Sequence, residues 1–409
     1  MTKSPPISGF VKPGFEAVRE AFVENFEHHN ELGAACCIYY GGEKVVDLWG
    51  GVRDKATGEP WEENTMVLVS SATKGLAGLA MALAQSRGLF DYDEPVSKYW
   101  SEFAQQGKYK ITIRQLLAHQ AGLTAWIPFW KETVKKDGSF RNRTFKPTES
   151  DKYPLKVAEG LYMHKDYRDK IFKEMKKSKL SGEKKFLYSD LAFIISPEII
   201  STLTGEKWYD YVTTNIYHKL GAYDVGFNPY LKYPLSRIVP TEYDSLFRKQ
   251  QLHGTVHDEG AAMLGGISGH AGLFATANDL MKIMEMYRRM GSYGGEQIII
   301  DTILKMYTSY QFPENNNRRG LGFDKPQVDI GQPDLVRPYP TRSATPESFG
   351  HSGYTGTFVW IDPEKEFTYI FLCNRVYPTR NNNKLSDMNI RTEILQIIYD
   401  AINSNPEKN

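Results

Sequence analysis

A serine and a lysine stand three residues apart in Ser71-Ala72-Thr73-Lys74, directly after a short apolar run. Residues three apart on a helix share one face, one turn from each other. A lysine in a dry site near the positive end of a helix loses its proton more easily than one in water. A neutral amine beside a serine hydroxyl is a general base beside a nucleophile. The spacing therefore predicts that Ser71 is a nucleophile and that Lys74 activates it.

The residues that follow predict the helix that positions this pair. Ser70 or Ser71 can serve as the N-cap, and Gly88 ends the pattern. The apolar residues recur at the i, i+3, i+4, i+7 spacing of one buried face: Leu76, Leu79, Ala80 and Leu83. An ordinary capping serine is the alternative interpretation of Ser71. A second Ser-x-x-K, from Ser181 to Lys184, lies in a polar, lysine-rich stretch and is predicted to be solvated surface.

The composition excludes several classes of function. The chain has 409 residues and a formal net charge of +1, which gives no overall basic footprint for nucleic acid. The three cysteines (Cys36, Cys37 and Cys373) lie in apolar runs and are predicted to be core residues without disulfides. The first 22 residues lack the apolar stretch of a signal peptide, and no later segment is long enough to span a bilayer. We expect a cytoplasmic protein, or an exported one if a leader was removed.

Strand-like runs cluster at the two ends of the chain. Residues 33–51 form two β-rich runs around Gly41-Gly42, and residues 356–375 repeat this arrangement around Asp362-Pro363. A last amphipathic helix is predicted near 386–402. The pattern favours an α+β fold in which an antiparallel sheet from both ends is covered by helices. We expect one domain over 1–409, with a sheet lobe (about 1–70 and 346–409), a mostly helical lobe (about 71–345) and the site between them.

Within the helical lobe, residues 131–185 form a basic insertion. It holds 17 Lys and Arg residues against 9 Asp and Glu residues, so the rest of the chain carries about −7. This charge could attract an anionic substrate or surface. The simpler interpretation, which we favour, is a solvated helical lid.

Four motifs in order give the chain a family resemblance. They are Ser71-Ala72-Thr73-Lys74, the segment ITIRQLLAHQAGL at 111–123, Tyr188-Ser189-Asp190 and His351-Ser352-Gly353. Together they resemble the landmarks of the serine β-lactamase-like superfamily, in particular class C β-lactamases, penicillin-binding peptidases and family VIII carboxylesterases. The resemblance covers nearly the whole chain and implies the β-lactamase/transpeptidase-like fold.

This resemblance implies a role for each matching residue. Ser71 would be acylated, Lys74 would be its base or proton relay, and Tyr188 would match the tyrosine of the Y-x-N motif. A phenol can act as a base if nearby cations favour the phenolate, and Lys74 would supply one. The backbone N–H groups of Ser71 and Tyr354 would form the oxyanion hole. Asp190 replaces the family's Asn, which donates a hydrogen bond to a substrate carbonyl; an ionised Asp cannot.

The resemblance also implies residues that bind substrate. His351, Ser352 and Gly353 stand where the family has Lys-Thr-Gly. A neutral or partly charged His is a weaker anchor for a substrate carboxylate than Lys, and Gly353 lets the backbone approach substrate closely. Together with Asp190, these residues are predicted to bind substrate, and His270 is expected near the acyl pocket.

Two rival chemistries are disfavoured by the sequence. One is a metal site built from residues of a histidine-rich, glycine-rich stretch: His253, His257, Asp258, Glu259 and His270. Its glycines disfavour a stable helix that would present the first two histidines on one face, and no H-E-x-x-H is present. The other is an α/β-hydrolase, whose G-x-S-x-G is absent. No metal and no cofactor are expected.

The sequence therefore predicts a serine hydrolase that forms an acyl-enzyme on Ser71 and acts on small carboxylic esters or amides, with weak or no β-lactamase activity. A penicillin-binding D-alanyl-D-alanine peptidase or a β-lactamase is the alternative. An acyltransferase and an inactive scaffold are further ones.

Overall fold

The central element is an antiparallel sheet built from both ends of the chain. The computed structural model describes residues 6–29, 31–182 and 185–404. Its strands are β1 (Ile7–Val11), β2 (Gly33–Tyr40), β3 (Glu43–Asp54), β4 (Glu59–Pro60), β5 (Val67–Leu68), β6 (Phe145–Lys146), β7 (Leu155–Ala158), β8 (Leu161–Met163), β9 (Val225–Gly226), β10 (Tyr243–Asp244), β11 (Gln250–Gln251), β12 (Phe274–Ala275), β13 (Ser292–Tyr293), β14 (Glu296–Gln297), β15 (Phe349–Ser352), β16 (Phe358–Asp362) and β17 (Phe367–Cys373).

Helices fill the middle of the chain and cover the sheet. They are α1 (Glu16–His28), α2 (Thr73–Ser86), α3 (Val96–Tyr99), α4 (Ile113–Leu117), α5 (Asp166–Lys177), α6 (Leu191–Thr204), α7 (Trp208–Val212), α8 (Glu259–Met263), α9 (Ala277–Arg288), α10 (Asp301–Thr308), α11 (Lys384–Asp387) and α12 (Ile390–Asn403). Among the described residues, no helix is long and apolar enough to cross a membrane.

The strand order of the large sheet is β1-β3-β2-β17-β16-β15, and β4 pairs with the far end of β3. The β2–β3 hairpin turns at Gly41 and Gly42, whose φ values of 61° and 84° lie in the left-handed region that glycine adopts freely. The second predicted hairpin is β16–β17. The α+β prediction and both hairpins are therefore confirmed, and the last predicted helix is α12.

Alternating side chains of the sheet enter two hydrophobic cores. In β2, Cys36 and Ile38 face the core that contains α1 and α12, whereas Cys37 faces the core that contains α2 and α9. This alternation follows from the two-residue period of a strand. Because both faces are covered, the cysteines are buried, and they are free thiols.

Helix α2 passes through the second core and is apolar on almost every side. Its residues from Thr73 to Ala84 are all buried, as expected of a helix without a polar face. Gly75 and Gly78 allow the close approach: an added Cβ would lie 2.6 Å from the Phe323 ring and 2.6 Å from the Leu321 carbonyl oxygen. The first turn of this helix is thus held firmly in the interior.

The basic insertion differs from the predicted helical lid. Within 131–185 the described residues form the three-stranded sheet β6-β8-β7 as well as helix α5. The prediction of a wholly helical segment was therefore wrong. These strands are two to four residues long, too short to show a two-residue alternation that sequence inspection could detect. The division of the chain into lobes at about residues 70 and 346 stays a prediction.

Candidate active site

Ser71 lies in a tight turn that precedes α2. Residues Ser70–Ala72 form a 3₁₀ turn, and the N-cap of α2 is Ala72, with no capping side chain. The predicted serine N-cap was therefore wrong, and the Ser71 hydroxyl is not used for capping. Ser70 has a φ of 49°, a strained conformation for a residue with a side chain. Its hydroxyl lies 3.0 Å from the Thr355 hydroxyl, which in turn donates to the Leu68 carbonyl at 2.7 Å.

Lys74 is completely buried one turn further on. Its Nζ lies 3.3 Å from Ser71 Oγ, 2.9 Å from the His270 carbonyl oxygen and 2.7 Å from Asp190 Oδ1. Burial alone would lower the pKa of Lys74, but the charge of Asp190 and the neighbouring Tyr188 outweigh it and raise that pKa above its ordinary value. The expectation that a dry site would neutralise this lysine was therefore wrong, because it took no account of an anionic partner.

Tyr188 lies beside the lysine and stacks on a histidine. Its ring centroid is 4.9 Å from Lys74 Nζ, and a hydrogen bond between the two side chains contributes to the raised lysine pKa. The ring of His119 stacks on it with centroids 4.4 Å apart, and the Arg319 guanidinium lies 5.1 Å from it. Tyr188 lines the same cavity as Ser71. Ser71 and Lys74 thus converge with Tyr188, which lies more than 100 positions away in sequence.

The residues predicted to bind substrate divide into two groups. Asp190 contacts Lys74 and lines a cavity at Ser71. His351 and Ser352 end strand β15 and line the neighbouring cavity. His351 donates from Nδ1 to the Ser352 carbonyl at 2.7 Å, and burial, followed by the charge of Arg319, lowers its pKa to about 3. This histidine is therefore neutral at pH 7.

Gly353 follows β15 and packs on the nucleophile turn. A Cβ at this position would lie 2.4 Å from the Val69 carbonyl oxygen and 3.3 Å from Ser70 Cβ, closer than side chains tolerate. Tyr354 comes next, with its ring between His257, at 5.6 Å, and Arg375, at 4.5 Å. Tyr354 and Ser71 line the same two cavities, as the predicted oxyanion hole requires.

The side chain of His270 forms two hydrogen bonds beside the cavity that Asp190 and Ser71 line. Its Nδ1 lies 2.7 Å from Ser268 Oγ, and its Nε2 lies 2.9 Å from Asp258 Oδ1. Ser268 is buried, so this Ser-His-Asp set has no exposed nucleophile. His253 is separate: its Nε2 contacts the carbonyl oxygens of residues 235 and 238. Within the described ranges, no group of three or more His, Cys, Asp or Glu side chains could hold a metal.

Two cavities meet at Ser71 and Tyr354. The larger, about 320 Å³, has an apolar and aromatic wall from residues 126–130 with Leu191 and Ile194, and a polar wall from residues 257–260 with Arg380. The smaller, about 280 Å³, is lined by His351, by Asp324 and by three arginines: Arg319, which pairs with Asp324 at 3.4 Å, Arg375 and Arg391. A carbonyl group placed at Ser71 would thus have one substituent beside the apolar and aromatic wall of the larger cavity and the other beside the arginines of the smaller one.

Sequence inspection missed several residues of this site. Thr355, which braces the Ser70 turn, and Arg319 carry no pattern that could have identified them. His119 had a usable signal, because it lies in the segment 111–123 that contributes to the resemblance, yet no role was assigned to it.

Comparisons with known proteins agree with one another. A family model described as Beta-lactamase matches residues 18–389. A protein of Escherichia coli (strain K12) named "Putative D-alanyl-D-alanine carboxypeptidase" is 28% identical over 345 residues, which cover 78% of this chain and 72% of that protein. A penicillin-binding protein homologue from Caulobacter crescentus superimposes with a TM-score of 0.70 at 23% identity, covering 97% of this chain and 100% of the other. A family VIII carboxylesterase gives a TM-score of 0.67 at 22% identity, with coverage of 97% and 100%. The structural likenesses confirm the β-lactamase/transpeptidase-like fold.

Proposed function

Because this chain belongs to the beta-lactamase family, we propose that it is a serine hydrolase that forms an acyl-enzyme on Ser71 and hydrolyses carboxylic esters or amides. The observation that carries the proposal is the position of the Ser71 hydroxyl. It lies where two cavities meet, 3.3 Å from a buried lysine and clear of any capping role. A nucleophile beside a proton-transfer group is the arrangement that acyl transfer to serine needs.

The reaction follows from the surrounding groups. Ser71 Oγ attacks the substrate carbonyl carbon, and its proton passes to the phenolate form of Tyr188, which the adjacent Lys74 ammonium favours. The negative charge of the tetrahedral intermediate develops between the backbone N–H groups of Ser71 and Tyr354. The leaving group departs with a proton returned from Tyr188, and water then cleaves the acyl–Ser71 ester by the same route.

The cavity walls support a preference for esters over β-lactams. Asp190 stands where a carbonyl-binding Asn would be, and its carboxylate contacts Lys74 instead of offering a donor. His351 is neutral and therefore does not replace the charge of the family's Lys, so a β-lactam carboxylate would depend on the arginines of the smaller cavity. We accordingly propose weak or no β-lactamase activity and ready turnover of short-chain p-nitrophenyl esters, whose acyl chains fit the apolar wall.

The proposal is tested by labelling and kinetics on Ser71→Ala and on Ser181→Ala, a control at an exposed serine of the polar stretch. Mass spectrometry after fluorophosphonate treatment should show one adduct in the wild type and in the control, and none in Ser71→Ala. Ester hydrolysis should disappear only in Ser71→Ala. Undiminished hydrolysis by that variant, or an adduct on Ser268, would refute the proposal, and equal kcat/KM for ester and nitrocefin would refute the preference.

One observation favours a second candidate, a D-alanyl-D-alanine carboxypeptidase. Of the three arginines of the smaller cavity, Arg319 pairs with Asp324, and Arg375 and Arg391 offer guanidinium groups, which bind carboxylates well, so a peptide carboxylate does not depend on His351. The name of the Escherichia coli relative points the same way. The test is release of D-alanine from a peptide ending in D-alanyl-D-alanine, with its C-terminal amide as the matched control. A peptidase should cleave the acid much faster than the amide; cleavage of neither leaves the esterase proposal in place alone.

A further inference from the structure

The ion pair between Lys74 and Asp190 is the feature of this site that the proposed chemistry does not explain. Nζ and Oδ1 are 2.7 Å apart, the lysine is fully buried and the side chain of Asp190 is 29% exposed. An Asn at this position would give the lysine a neutral neighbour. The Asp therefore changes the charge of the catalytic cluster by one unit.

The contacts of Lys74 match those of an ammonium group. An ammonium has three N–H donors, and Nζ lies within 3.3 Å of the Asp190 carboxylate, the His270 carbonyl and the Ser71 hydroxyl, in addition to its hydrogen bond with Tyr188. A neutral amine has only two N–H groups and would have to turn its lone pair to one of these groups. Only the Ser71 and Tyr188 hydroxyls could donate to that lone pair, and the adjacent carboxylate would then lose its positive partner.

Asp190 is held where its negative charge is favourable. Its backbone N–H donates to the Ala125 carbonyl at 2.9 Å, and its own carbonyl accepts from Phe193 and Ile194 at 3.0 and 3.1 Å. These contacts place it at the N-terminus of the 14-residue helix α6, whose dipole stabilises a carboxylate. The anion is thus fixed by backbone contacts, independently of any substrate.

We infer that Asp190 is a positioning residue that keeps Lys74 protonated and fixed against Ser71, so that Tyr188 and not the lysine receives the Ser71 proton. This inference rests on the proposed function, and it replaces the prediction that Asp190 binds substrate. With Asp190 present, the positive charge of Lys74 is compensated before any base in the site becomes negative.

The other charged or titratable groups around Lys74 do not supply this compensation. Burial lowers the pKa values of His119 and His351, so both are neutral at pH 7, and the positive charge of Arg319 is paired with Asp324 at 3.4 Å. The side chain of His270 faces Asp258, and its carbonyl faces the lysine. The charged or titratable groups near Lys74 are therefore Tyr188 and Asp190 before α6, His119 after α4, His351 from β15, His270, and Arg319, which lies over the Tyr188 ring and pairs with Asp324.

The test is the pH dependence of kcat/KM for a p-nitrophenyl ester in the wild type, Asp190→Asn and Asp190→Glu. In the Asn variant, no carboxylate compensates the positive charge of Lys74. That charge then favours the negative phenolate form of Tyr188, so the base forms at lower pH. We expect the rising limb of the Asn variant to move to lower pH by about one unit. The Glu variant, which restores the charge, should return it toward the wild type. Glu198→Gln, on the same helix but paired with Arg168 outside the site, is the matched control and should leave the profile unchanged.

A second measurement uses the wild type and does not depend on the folding of a variant. In protein labelled with ¹³Cε-lysine, the signal that is absent in Lys74→Arg should remain that of an ammonium up to pH 10. A change to the amine form below pH 8 would overturn the inference. The inference would also be overturned if Asp190→Asn left the pH profile of kcat/KM unshifted and only raised KM, because Asp190 would then bind substrate. Those two results leave ester hydrolysis by Ser71 intact, whereas activity in Ser71→Ala would refute the proposed function instead.

Discussion

His119 offers a sharp test of how Tyr188 is oriented. It is 3% exposed, its φ of 57° is left-handed, and its Nδ1 accepts a hydrogen bond from the Ser189 N–H at 3.0 Å. Its ring stacks on Tyr188 with planes 29° apart. Two substitutions separate these contacts. His119→Asn keeps a short acceptor and a residue that tolerates this backbone but removes the ring, whereas His119→Phe keeps a ring and removes the acceptor.

The structure sets the expected magnitudes. An aromatic pair contributes ~0.5–1.5 kcal/mol beyond its buried area, so His119→Asn should lower the free energy of unfolding by about 1–2 kcal/mol. His119→Phe leaves the buried Ser189 N–H without an acceptor, at a cost of ~1–3 kcal/mol. It also places a bulky residue at a positive φ, so the Phe variant should be the less stable of the two. If the stack orients the Tyr188 phenol, the Phe variant should be the more active of the two although it is the less stable. The Asn variant should lose at least tenfold in kcat, equivalent to ~1.4 kcal/mol, while the Phe variant loses less.

Urea unfolding and ester kinetics measure both quantities on the same preparations. His28→Asn, at an exposed position of α1, is the control and should change neither. Because burial holds the pKa of His119 well below its ordinary value, neither substitution should remove a limb from the activity profile between pH 5 and 9. An active Asn variant beside an inactive Phe variant would refute the role of the stack and assign it to the Ser189 hydrogen bond.

Three further predictions follow from the packing and the charges. Gly353→Ala should reduce the acylation rate of Ser71 more than tenfold, because its Cβ would meet the Val69 carbonyl at 2.4 Å; Gly331→Ala, with no atom within 4 Å, should not, and equal rates would count against the close approach. Although burial alone would raise it, hydrogen bonds from His257 and Arg380 lower the pKa of Glu242 to about 2, so its stabilisation is present above pH 4.5 and lost as the pH falls towards 2. Arg380→Gln should therefore move the acid unfolding midpoint to higher pH, and an unmoved midpoint would contradict this assignment. Burial raises the pKa values of the three thiols, so none should react with Ellman's reagent until the protein unfolds; a reaction in the native state would show that one is accessible.

Elements whose signals are local could be predicted from the sequence. The hairpins β2–β3 and β16–β17 combine β-rich runs with turn residues, and α2 and α12 show a helical period over 14 residues each. The strands of the basic insertion could not be predicted in this way. They are short, and they are stabilised by pairing between segments that are separated in the chain, for example Phe145 with Met163. These strands therefore form because of tertiary pairing, although the local sequence shows no strand pattern.

The turn at Ser71 shows the same limit within the site. A serine before an apolar helix is typical of an N-cap, and local pattern favours that interpretation. The observed turn instead depends on Thr355, whose hydroxyl contacts Ser70 across 285 positions of sequence. That contact holds Ser70 in the left-handed region directly before the nucleophile. The Ser71 side chain therefore does not cap the helix. Only the fold brings the two segments together.

Lys74 shows why burial alone does not determine the charge of a catalytic group. Spacing correctly places it one turn from Ser71, and the structure shows that it is buried. Burial and an adjacent carboxylate act in opposite directions on an ammonium group, and at 2.7 Å the carboxylate outweighs burial. Asp190 is 116 positions away, and the sequence shows only that it differs from the family's Asn. Under the proposed mechanism, the Asp that replaces the family's Asn would therefore also determine which residue takes the proton, because a lysine held as a cation leaves Tyr188 as the base.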